Sequence, residues 1–435
     1  MHDPRSAALA GLLLLATTGP LAAQAAEWPT WRGPTENGIA GADAKPPLEW
    51  SETKNVRWKV ELPGLGNSSP VVRGEFLYLT SAIDLSAEDA ARAQPGPPEA
   101  SGPHRFVVLA LERKSGKLAW QTTVGETKPH EKGHVTGSHA SASITIAGER
   151  LVAFFGSRGL HVLDLAGKVL WSQDLGDMET LATFGEGSTP VVHGDTIVVQ
   201  WDEEGPSFVA AFDLASGKER WRQARKTDSS WGSPLVTRVG GKPQVILTGS
   251  DATRAYDLTT GAPVWSSGGM SKNPVNSPLV HDGLLFVMSN YQGDVIQAID
   301  LEAAKGEVDE EHGLLWTRKR DASYVPNPLA LDGRLYFLRD SVGTLNCVAA
   351  ATGEEHFLGA RLAGAKTVHA SPIAAAGRIY FTAREGSAHV VKATDKFELL
   401  ATNQLDDVFD ATPAFVGDAI YQRGRSFLYC LAEAR

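Results

Sequence analysis

The chain has 435 residues, with 41 Lys and Arg against 51 Asp and Glu, and a formal net charge of −10. Because phosphate binding needs a basic surface, this charge balance argues against a nucleic acid partner. The length would suit two or three ordinary domains, but a repeat architecture can form one closed unit of this size. The domain count therefore depends on whether the sequence repeats.

The first 25 residues are typical of a secretory signal peptide. Arg5 precedes an apolar run dominated by Leu12–Leu15, and small residues follow as far as Ala25. The run is too short to span a bilayer permanently, and no cysteine near its end could carry a lipid. We expect cleavage after Ala25 and an exported protein, periplasmic or extracellular, with no membrane anchor.

The rest of the sequence repeats eight times. Each repeat presents a small or polar residue, usually followed by Pro, and then two short apolar strands separated by a turn that contains Gly. The spacing of most copies is near the period of a four-stranded propeller blade. The anchor residues of the repeats are Pro70, Ala142, Pro190, Pro234, Pro278, Pro328, Pro372 and Pro413. The sequence predicts an all-β fold, an eight-bladed β-propeller of four-stranded antiparallel blades over residues 55–435.

The second half of each repeat carries the pattern A-x-D-x-x-[ST]-G-x-x-x-W. It is complete from Ala211 to Trp221 and from Ala255 to Trp265, and it is degenerate elsewhere. The Asp carboxylate is expected to accept backbone N–H groups in a tight turn where Gly takes a positive φ. The Trp then covers the gap to the next blade. A structural docking role is assigned to Trp58, Trp120, Trp171, Trp221, Trp265 and Trp316.

The eighth repeat ends before its turn and its Trp. The missing strand is found at residues 55–62, which carry Trp58. This strand is predicted to complete the last blade beside Phe427–Leu431 and to close the ring, which removes exposed strand edges. Residues 26–54, with Trp28 and Trp31, are expected to lie across the propeller as a latch.

Two insertions interrupt the period. Residues 82–104, between the second and third strands of blade one, are rich in Ala, Pro and acidic residues and are expected to form a mobile loop. Residues 302–313 extend the turn of blade five and are expected to form a solvated acidic loop.

Two N-terminal motifs and the docking pattern resemble those of a known family. The motifs are WPxWRGPxxxG at residues 28–38 and LPGxGNSSP at residues 62–70. They are similar to those of secreted bacterial propellers with pyrroloquinoline-quinone (PQQ)-like repeats. The docking pattern resembles that of quinoprotein alcohol dehydrogenases and of the propeller lipoprotein of the outer-membrane assembly machine. The resemblance covers nearly all of the chain after the signal peptide and implies the fold rather than one activity.

A quinoprotein dehydrogenase of this family would hold PQQ beside two adjacent cysteines in a disulfide, with a Ca²⁺ ion and an Asp as general base. The two cysteines here, Cys347 and Cys430, are far apart in the sequence. We therefore expect no bound PQQ without added cofactor and assign no metal ligands. Both cysteines begin an A-x-D turn, two blades apart, and are expected to stay unpaired.

Residues 130–134 match H-E-x-x-H, a zinc-binding pattern that requires both histidines on one face of a helix. Pro129, Gly133 and Gly137 argue against a helix in this connection between blades. We interpret the match as accidental.

Polar and aromatic residues recur in the connections that lead into the innermost strands. In a ring, these connections converge on one rim around the axial channel. They predict a ligand site formed by His139, Glu186, Trp231, Asn276, Tyr324, His369 and Asp410. This set could orient a polar planar ligand or a Ca²⁺ ion. The alternative is that these side chains cap turns and contact channel water.

The favoured function is a binding or scaffolding propeller, expected to be a monomer, that holds a small molecule or a protein partner at this rim. One alternative is a PQQ- and Ca²⁺-dependent dehydrogenase of alcohols or sugars. A second alternative is a platform in envelope assembly that uses strand edges or rim loops to hold extended chains.

Overall fold

The computed structural model describes residues 27–86 and 102–433. Within these ranges the strands form eight sheets arranged in a ring, each built on four antiparallel strands. The predicted eight-bladed β-propeller is confirmed. The signal peptide expected at residues 1–25 lies outside the described residues. In the described part of the chain, no helix is long and apolar enough to cross a membrane.

The strands of each blade are given from the axis outward. Blade one consists of Val71–Arg73, Phe76–Asp84, His104–Glu112 and Leu118–Thr127; blade two of Thr145–Ala147, Arg150–Phe154, Leu160–Asp164 and Val169–Gln173; blade three of Val191–His193, Thr196–Trp201, Phe208–Asp213 and Glu219–Ala224; and blade four of Leu235–Val239, Lys242–Leu247, Ala252–Asp257 and Pro263–Gly268.

The second half of the ring follows the same order. Blade five consists of Leu279–His281, Leu284–Ser289, Val295–Asp300 and Leu314–Arg318; blade six of Leu329–Leu331, Arg334–Leu338, Thr344–Ala349 and Glu355–Arg361; blade seven of Ile373–Ala375, Arg378–Thr382, Ser387–Lys392 and Leu399–Gln404; and blade eight of Ala414–Val416, Ala419–Arg423, Phe427–Leu431 and Val56–Glu61. Two short 3₁₀ turns lie at Gly156–Arg158 and Leu181–Thr183.

The core lies between neighbouring blades, so the middle strands are covered on both faces. In blade three, every residue of Thr196–Trp201 is buried, whereas the outer strand Glu219–Ala224 alternates between exposed and covered positions. This is why the middle strands are continuous apolar runs, while the outer strands show a two-residue alternation.

The N-terminal strand closes the ring as predicted. Val56–Glu61 pairs antiparallel with Phe427–Leu431, and Trp58 lies opposite Cys430. The last blade is therefore made from both ends of the described chain.

The A-x-D turn has the hydrogen bond and the glycine conformation that the pattern predicts. In blade three the carboxylate of Asp213 accepts the backbone N–H of Ser216 at 2.8 Å, and Gly217 has a φ of +72°. The indole of Trp171, from the preceding blade, lies against Gly217, where a Cβ atom would come within 2.7 Å of the ring. Glycine is required there for both its backbone angle and its lack of a side chain.

Four of the docking indoles also reach across a blade boundary with a hydrogen bond. The Nε1 atoms of Trp58, Trp171, Trp221 and Trp316 donate to the carbonyl oxygens of Arg113, Leu214, Leu258 and Ala350 at 2.9, 3.1, 2.8 and 3.0 Å. Trp120 packs on Gly167 of blade two. Trp265 differs, because its Nε1 donates to Gln244 of its own blade at 3.0 Å, and the turn of the next blade is the one enlarged by the insertion.

The insertion in blade five is more than a solvated loop. Its acidic side chains are exposed, as expected, but Gly306–Glu307 pairs in parallel with Trp265 and Ser266 on the outer edge of blade four. Val308 is buried against that blade. The acidic side chains are solvated, and Val308, which lies within the acidic run, anchors the loop against blade four.

In blade one the middle strands extend into the other insertion, from Phe76 to Asp84 and from His104 to Glu112. The part expected to be a mobile loop lies mainly in residues 87–101, outside the described residues.

Residues 27–40, the channel segment, run into the axial channel, and the residues up to 54 continue outward to the outer strand of blade seven. Trp28 exchanges two backbone hydrogen bonds with Val72, of 2.9 and 2.8 Å, and Gly38–Ala40 makes the same type of contact with Ala374. These contacts use the inner edges of the innermost strands of blades one and seven. Trp28 is fully buried. The segment therefore fills one end of the channel.

Candidate functional site

A closed ring of hydrogen bonds surrounds the axis where the innermost strands begin. In each bond, a backbone N–H donates to the side-chain oxygen of the equivalent residue in the next blade, at 2.8 to 3.2 Å. The ring residues are Ser69, Ser143, Thr189, Ser233, Ser277, Asn327, Ser371 and Thr412. The last bond, from the N–H of Thr412 to Oγ of Ser69 at 3.0 Å, closes the circle.

The ring explains the small or polar residue that precedes most anchors. The N–H at a strand start would otherwise be buried without a partner, and a short side chain from the next blade satisfies it. In blade two the ring residue is Ser143, followed by Ile144. The anchor placed at Ala142 is therefore two residues too early, because this blade lacks the Pro that marks the position elsewhere.

Residues two positions before the ring form a second tier, since side chains two apart in an extended chain point the same way. Both tiers line a chamber of about 420 Å³ on the axis. The second-tier residues, from blade one to blade eight, are Asn67, Ser141, Gly187, Trp231, Val275, Val325, His369 and Asp410. Trp31, in the channel segment, also lines the chamber and belongs to its floor.

The structure brings five of the seven sequence-predicted site residues to this chamber. Its lining includes Glu186, Trp231, Tyr324, His369 and Asp410.

The other two, His139 and Asn276, do not line the chamber, so their assignment to this site needs correction. Asn276 is fully buried directly before ring residue Ser277, and its Nδ2 donates to the carbonyl oxygen of Pro326 at 2.9 Å. Asn276 lies one residue before the ring instead of two, so its side chain points into the wall and not into the chamber. His139 lies in a separate small cavity beside His104, with ring centroids 5.1 Å apart, and burial lowers the pKa of His139 to about 4.

Asp410 provides a stable negative charge on one side of the chamber. Burial alone would raise the pKa of this carboxyl, but hydrogen bonds from Nδ1 of His369 at 2.8 Å and Nε of Arg384 at 2.5 Å outweigh it and hold the pKa below its usual value. The Arg384 guanidinium balances the charge, and the two hydrogen bonds fix the carboxylate in place.

Glu186, at the wall formed by blade three, behaves differently. Burial raises the pKa of Glu186 to about 7, against the opposing effect of hydrogen bonds from the N–H and hydroxyl of Ser157. The chamber thus contains one ionised carboxylate and one carboxyl that changes its protonation near neutral pH.

Aromatic side chains form the wall beside Glu186. The Trp231 and Phe184 rings meet edge to face with centroids 5.9 Å apart, and His134 lies 4.3 Å from Phe184. Nε1 of Trp231 donates to the carbonyl oxygen of Gly185 at 2.7 Å, which fixes the indole. Tyr324, elsewhere on the rim, stacks on Tyr291, with ring centroids 6.3 Å apart. The sequence analysis did not predict Phe184, because this residue lies outside the repeat. The one feature that could have indicated it is the presence of an aromatic residue in an otherwise polar connection.

The H-E-x-x-H match does not lie in the helix that the zinc-binding pattern requires. Residues 130–134 contain no helix, and Nε2 of His130 bonds to the carbonyl oxygen of Met178 at 2.7 Å. The carboxylate of Glu131 accepts hydrogen bonds from the N–H and hydroxyl of Thr180 at 2.8 and 2.7 Å. Within the described ranges, no group of three or more His, Cys, Asp or Glu side chains is arranged to hold a metal ion.

The architecture defines an eight-bladed propeller with a chamber on its axis, and comparison with known proteins identifies the family. The family model described as outer membrane protein assembly factor BamB matches residues 47–205 and 205–327. The chain therefore belongs to the family of PQQ-like repeat β-propellers. A search of curated proteins found no match.

Solved structures support the same fold at low identity. BamB from Moraxella catarrhalis is 15% identical, with a TM-score of 0.59 over 86% of this chain and 98% of its own. A europium-containing methanol dehydrogenase is 12% identical, with a TM-score of 0.62 over 92% and 90% of the two chains. A quinohemoprotein alcohol dehydrogenase from Comamonas testosteroni is 12% identical, with a TM-score of 0.61 over 95% and 82%. At these identities the likeness concerns the fold.

Proposed function

We propose that the protein is an exported binding propeller that holds a small polar ligand in the axial chamber. The observation that carries this proposal is the two-tiered chamber, closed at one end by the channel segment and open at the rim. Its volume of about 420 Å³ lies within the range typical of small-molecule sites.

The lining has two chemically distinct sides. Asn67, His369 and Asp410 give blades one, seven and eight a polar side, whereas Trp231, Val275 and Val325 give blades four to six an apolar side. A ligand with one polar and one apolar face would satisfy both sides at once, since buried polar groups require partners and aromatic faces favour flat apolar surfaces.

The dehydrogenase alternative is less well supported by the residues present. Cys347 and Cys430 are free, fully buried in the third strands of blades six and eight, and outside the chamber lining. The described residues also provide no cluster of metal-ligating side chains. The cysteines and the other described residues do not fit the PQQ and Ca²⁺ centre that the resemblance implies.

One observation favours a second candidate, a protein partner at the chamber mouth, as in an envelope-assembly role. Phe184 and Tyr291 are each 37% exposed beside the mouth. Exposed aromatic residues are common anchors in protein interfaces. A partner held there would cover the chamber instead of entering it.

Calorimetric titration with a panel of monosaccharides, amino acids and small carboxylic acids tests the proposal. We expect at least one class to bind, with a loss of affinity of about tenfold or more in Trp231→Leu, because a large aromatic surface of the chamber is removed.

The matched control is Trp171→Leu, which removes another half-buried indole that donates to a carbonyl oxygen but lies on the outer strand of blade two. Equal loss in both variants, or none in either, would place the ligand elsewhere. Alcohol-dependent dye reduction after reconstitution with PQQ and Ca²⁺ would instead establish the dehydrogenase.

A further inference from the structure

Seven of the eight ring residues carry a hydroxyl whose hydrogen is not used. Each of these oxygens accepts a backbone N–H from the neighbouring blade, but none donates to an acceptor among the described residues. Nearby hydroxyls behave differently; Thr248, for example, donates to the carbonyl oxygen of Asn276 at 2.9 Å. The base of the chamber is therefore surrounded by O–H groups that are free to donate.

A buried cation lies beside this ring. Arg32 is 2% exposed, and its Nη2 donates to the carbonyl oxygens of Asn37 and Pro328, both at 2.8 Å. Among the described residues its Nε and Nη1 atoms have no hydrogen-bond partner, and no described carboxylate forms an ion pair with it. Burial lowers the pKa of Arg32 to about 9, so the guanidinium is still charged at neutral pH.

A small cavity connects the two features. Arg32 lines a cavity of about 30 Å³ together with Thr189, Ser233 and Ser277, and these three ring residues also line the chamber. A cavity of this size accommodates one small polar species. The Arg32 guanidinium, with two nitrogen atoms that have no partner, and the free hydroxyls of blades three to five therefore line one position at the base of the chamber.

We propose that this position binds a compact anionic group, either a free inorganic anion or the carboxylate of an organic ligand whose body occupies the chamber. Binding of an organic carboxylate rests on the proposed function, whereas the existence of the anion site does not.

The charge distribution favours an anion over a cation or a neutral group. A cation would meet a buried positive charge, and the hydroxyl oxygens already accept N–H groups. The ionised carboxylate of Asp410 belongs to blade eight, across the ring from blade four, and is balanced by Arg384 and Arg425. Glu36 also lines the small cavity, and burial raises the pKa of Glu36 to about 7. Below that pH the Glu36 carboxyl is mostly protonated, so its electrostatic repulsion of a bound anion is weaker.

The first experiment locates the anion with crystals of the full protein soaked in sodium bromide. We expect a bromine anomalous peak between the Arg32 guanidinium and the hydroxyls of Thr189, Ser233 and Ser277. A map with no peak there, at a bromide concentration that labels surface sites, would overturn the proposal. A cavity that contains only water gives this same result.

The second experiment measures acetate affinity by calorimetry at constant ionic strength and pH 6.5. Loss of one donor in Ser233→Ala is expected to weaken binding about tenfold, and loss of the charge in Arg32→Gln by more than that. The control is Ser250→Ala, since Ser250 is also buried and accepts a backbone N–H, from Asn273 at 2.9 Å, but lies outside the chamber. Equal affinity in Ser233→Ala and Ser250→Ala would refute the site even if Arg32→Gln fails to fold.

A third titration separates the anion site from the proposed function by comparing benzoate with acetate. If the carboxylate of an organic ligand is bound, benzoate binds more tightly, and Trp231→Leu removes that gain without weakening acetate. If both acids bind equally in both proteins, the site takes free anions and the proposed chamber ligand loses support. If neither acid binds but a neutral panel compound does, the anion site fails and the proposed function stands.

Discussion

The contact between Trp221 and Gly261 provides the sharpest test of how the blades hold together. Gly261, in the turn of blade four, has a φ of +75°, and a Cβ atom there would lie 2.6 Å from the Trp221 ring. The variant Gly261→Ala therefore meets two penalties, a left-handed backbone angle and a steric clash. Gly377 has a φ of +72° with no atom within 4 Å of its added Cβ, so Gly377→Ala meets only the first.

The two penalties can be given separate magnitudes. A left-handed angle costs a residue other than glycine about 1–2 kcal/mol. Forcing a methyl group into a packed contact costs about 1–3 kcal/mol more. Gly261→Ala should thus lower the free energy of unfolding by about 2–5 kcal/mol, against about 1–2 kcal/mol for Gly377→Ala. Trp221→Ala alone should cost about 3–5 kcal/mol, as expected for a large buried aromatic residue.

The assay is urea denaturation of these variants and of the double variant Gly261→Ala/Trp221→Ala. Once the indole is gone, the added methyl group has room, so Gly261→Ala should cost only about 1–2 kcal/mol in that background. If Gly261→Ala costs the same with and without Trp221, and the same as Gly377→Ala, the indole is not docked on this glycine and the packing argument is wrong.

Three further predictions concern titration, thiol chemistry and the ring. Between pH 4.5 and about 7 the folded protein keeps the Glu186 proton that the unfolded chain loses, so Glu186 lowers the free energy of unfolding by about 3 kcal/mol as pH rises. Glu36 and His139 titrate in both proteins, so the measured quantity is the difference in urea melts between the native protein and Glu186→Gln, which should grow by that amount across this pH range. Burial raises the pKa of Cys347 and Cys430 to about 12, so neither should react with a thiol reagent until the protein unfolds, and peptide mapping that finds them bonded to each other would contradict the fold. Thr412→Val leaves the N–H of Ser371 without an acceptor and should cost about 1–3 kcal/mol in the same melts, whereas Thr412→Ser should cost less than about 1 kcal/mol.

The fold could be predicted because its signals are local and recur. The A-x-D turn and the docking Trp are set by contacts within one turn and one neighbouring blade, so each copy repeats the same residues. Ring closure was also accessible, because the strand missing after Leu431 is present around Trp58. Where a residue serves only one blade, as Val308 does in the insertion, repetition gives no signal.

The lining of the chamber was predicted in part, for a geometric reason. Trp231, His369 and Asp410 lie two residues before the ring and share its direction, whereas Asn276 lies one residue before it and turns away. The repeat placed these residues on one rim, but it gave neither the direction of each side chain next to the ring nor the path of the connection before it, where Glu186 and Tyr324 line the chamber and His139 does not. The direction of a side chain next to the ring depends on which residue accepts the neighbouring N–H, as the shifted register at Ser143 shows.

Because blade eight combines strands from both ends of the described chain, the ring can close only late in synthesis. The outer strand of this blade, Val56–Glu61, precedes the other blades in the chain, and the strand it pairs with, Phe427–Leu431, follows all of them. During synthesis, the early strand must remain unpaired until nearly the entire chain has emerged. Shortened products that end before residue 427 would leave that strand without its partner and blade one without a neighbour on one side. An incomplete chain would therefore stay open at that point, exposing apolar edges that proteases and chaperones recognise.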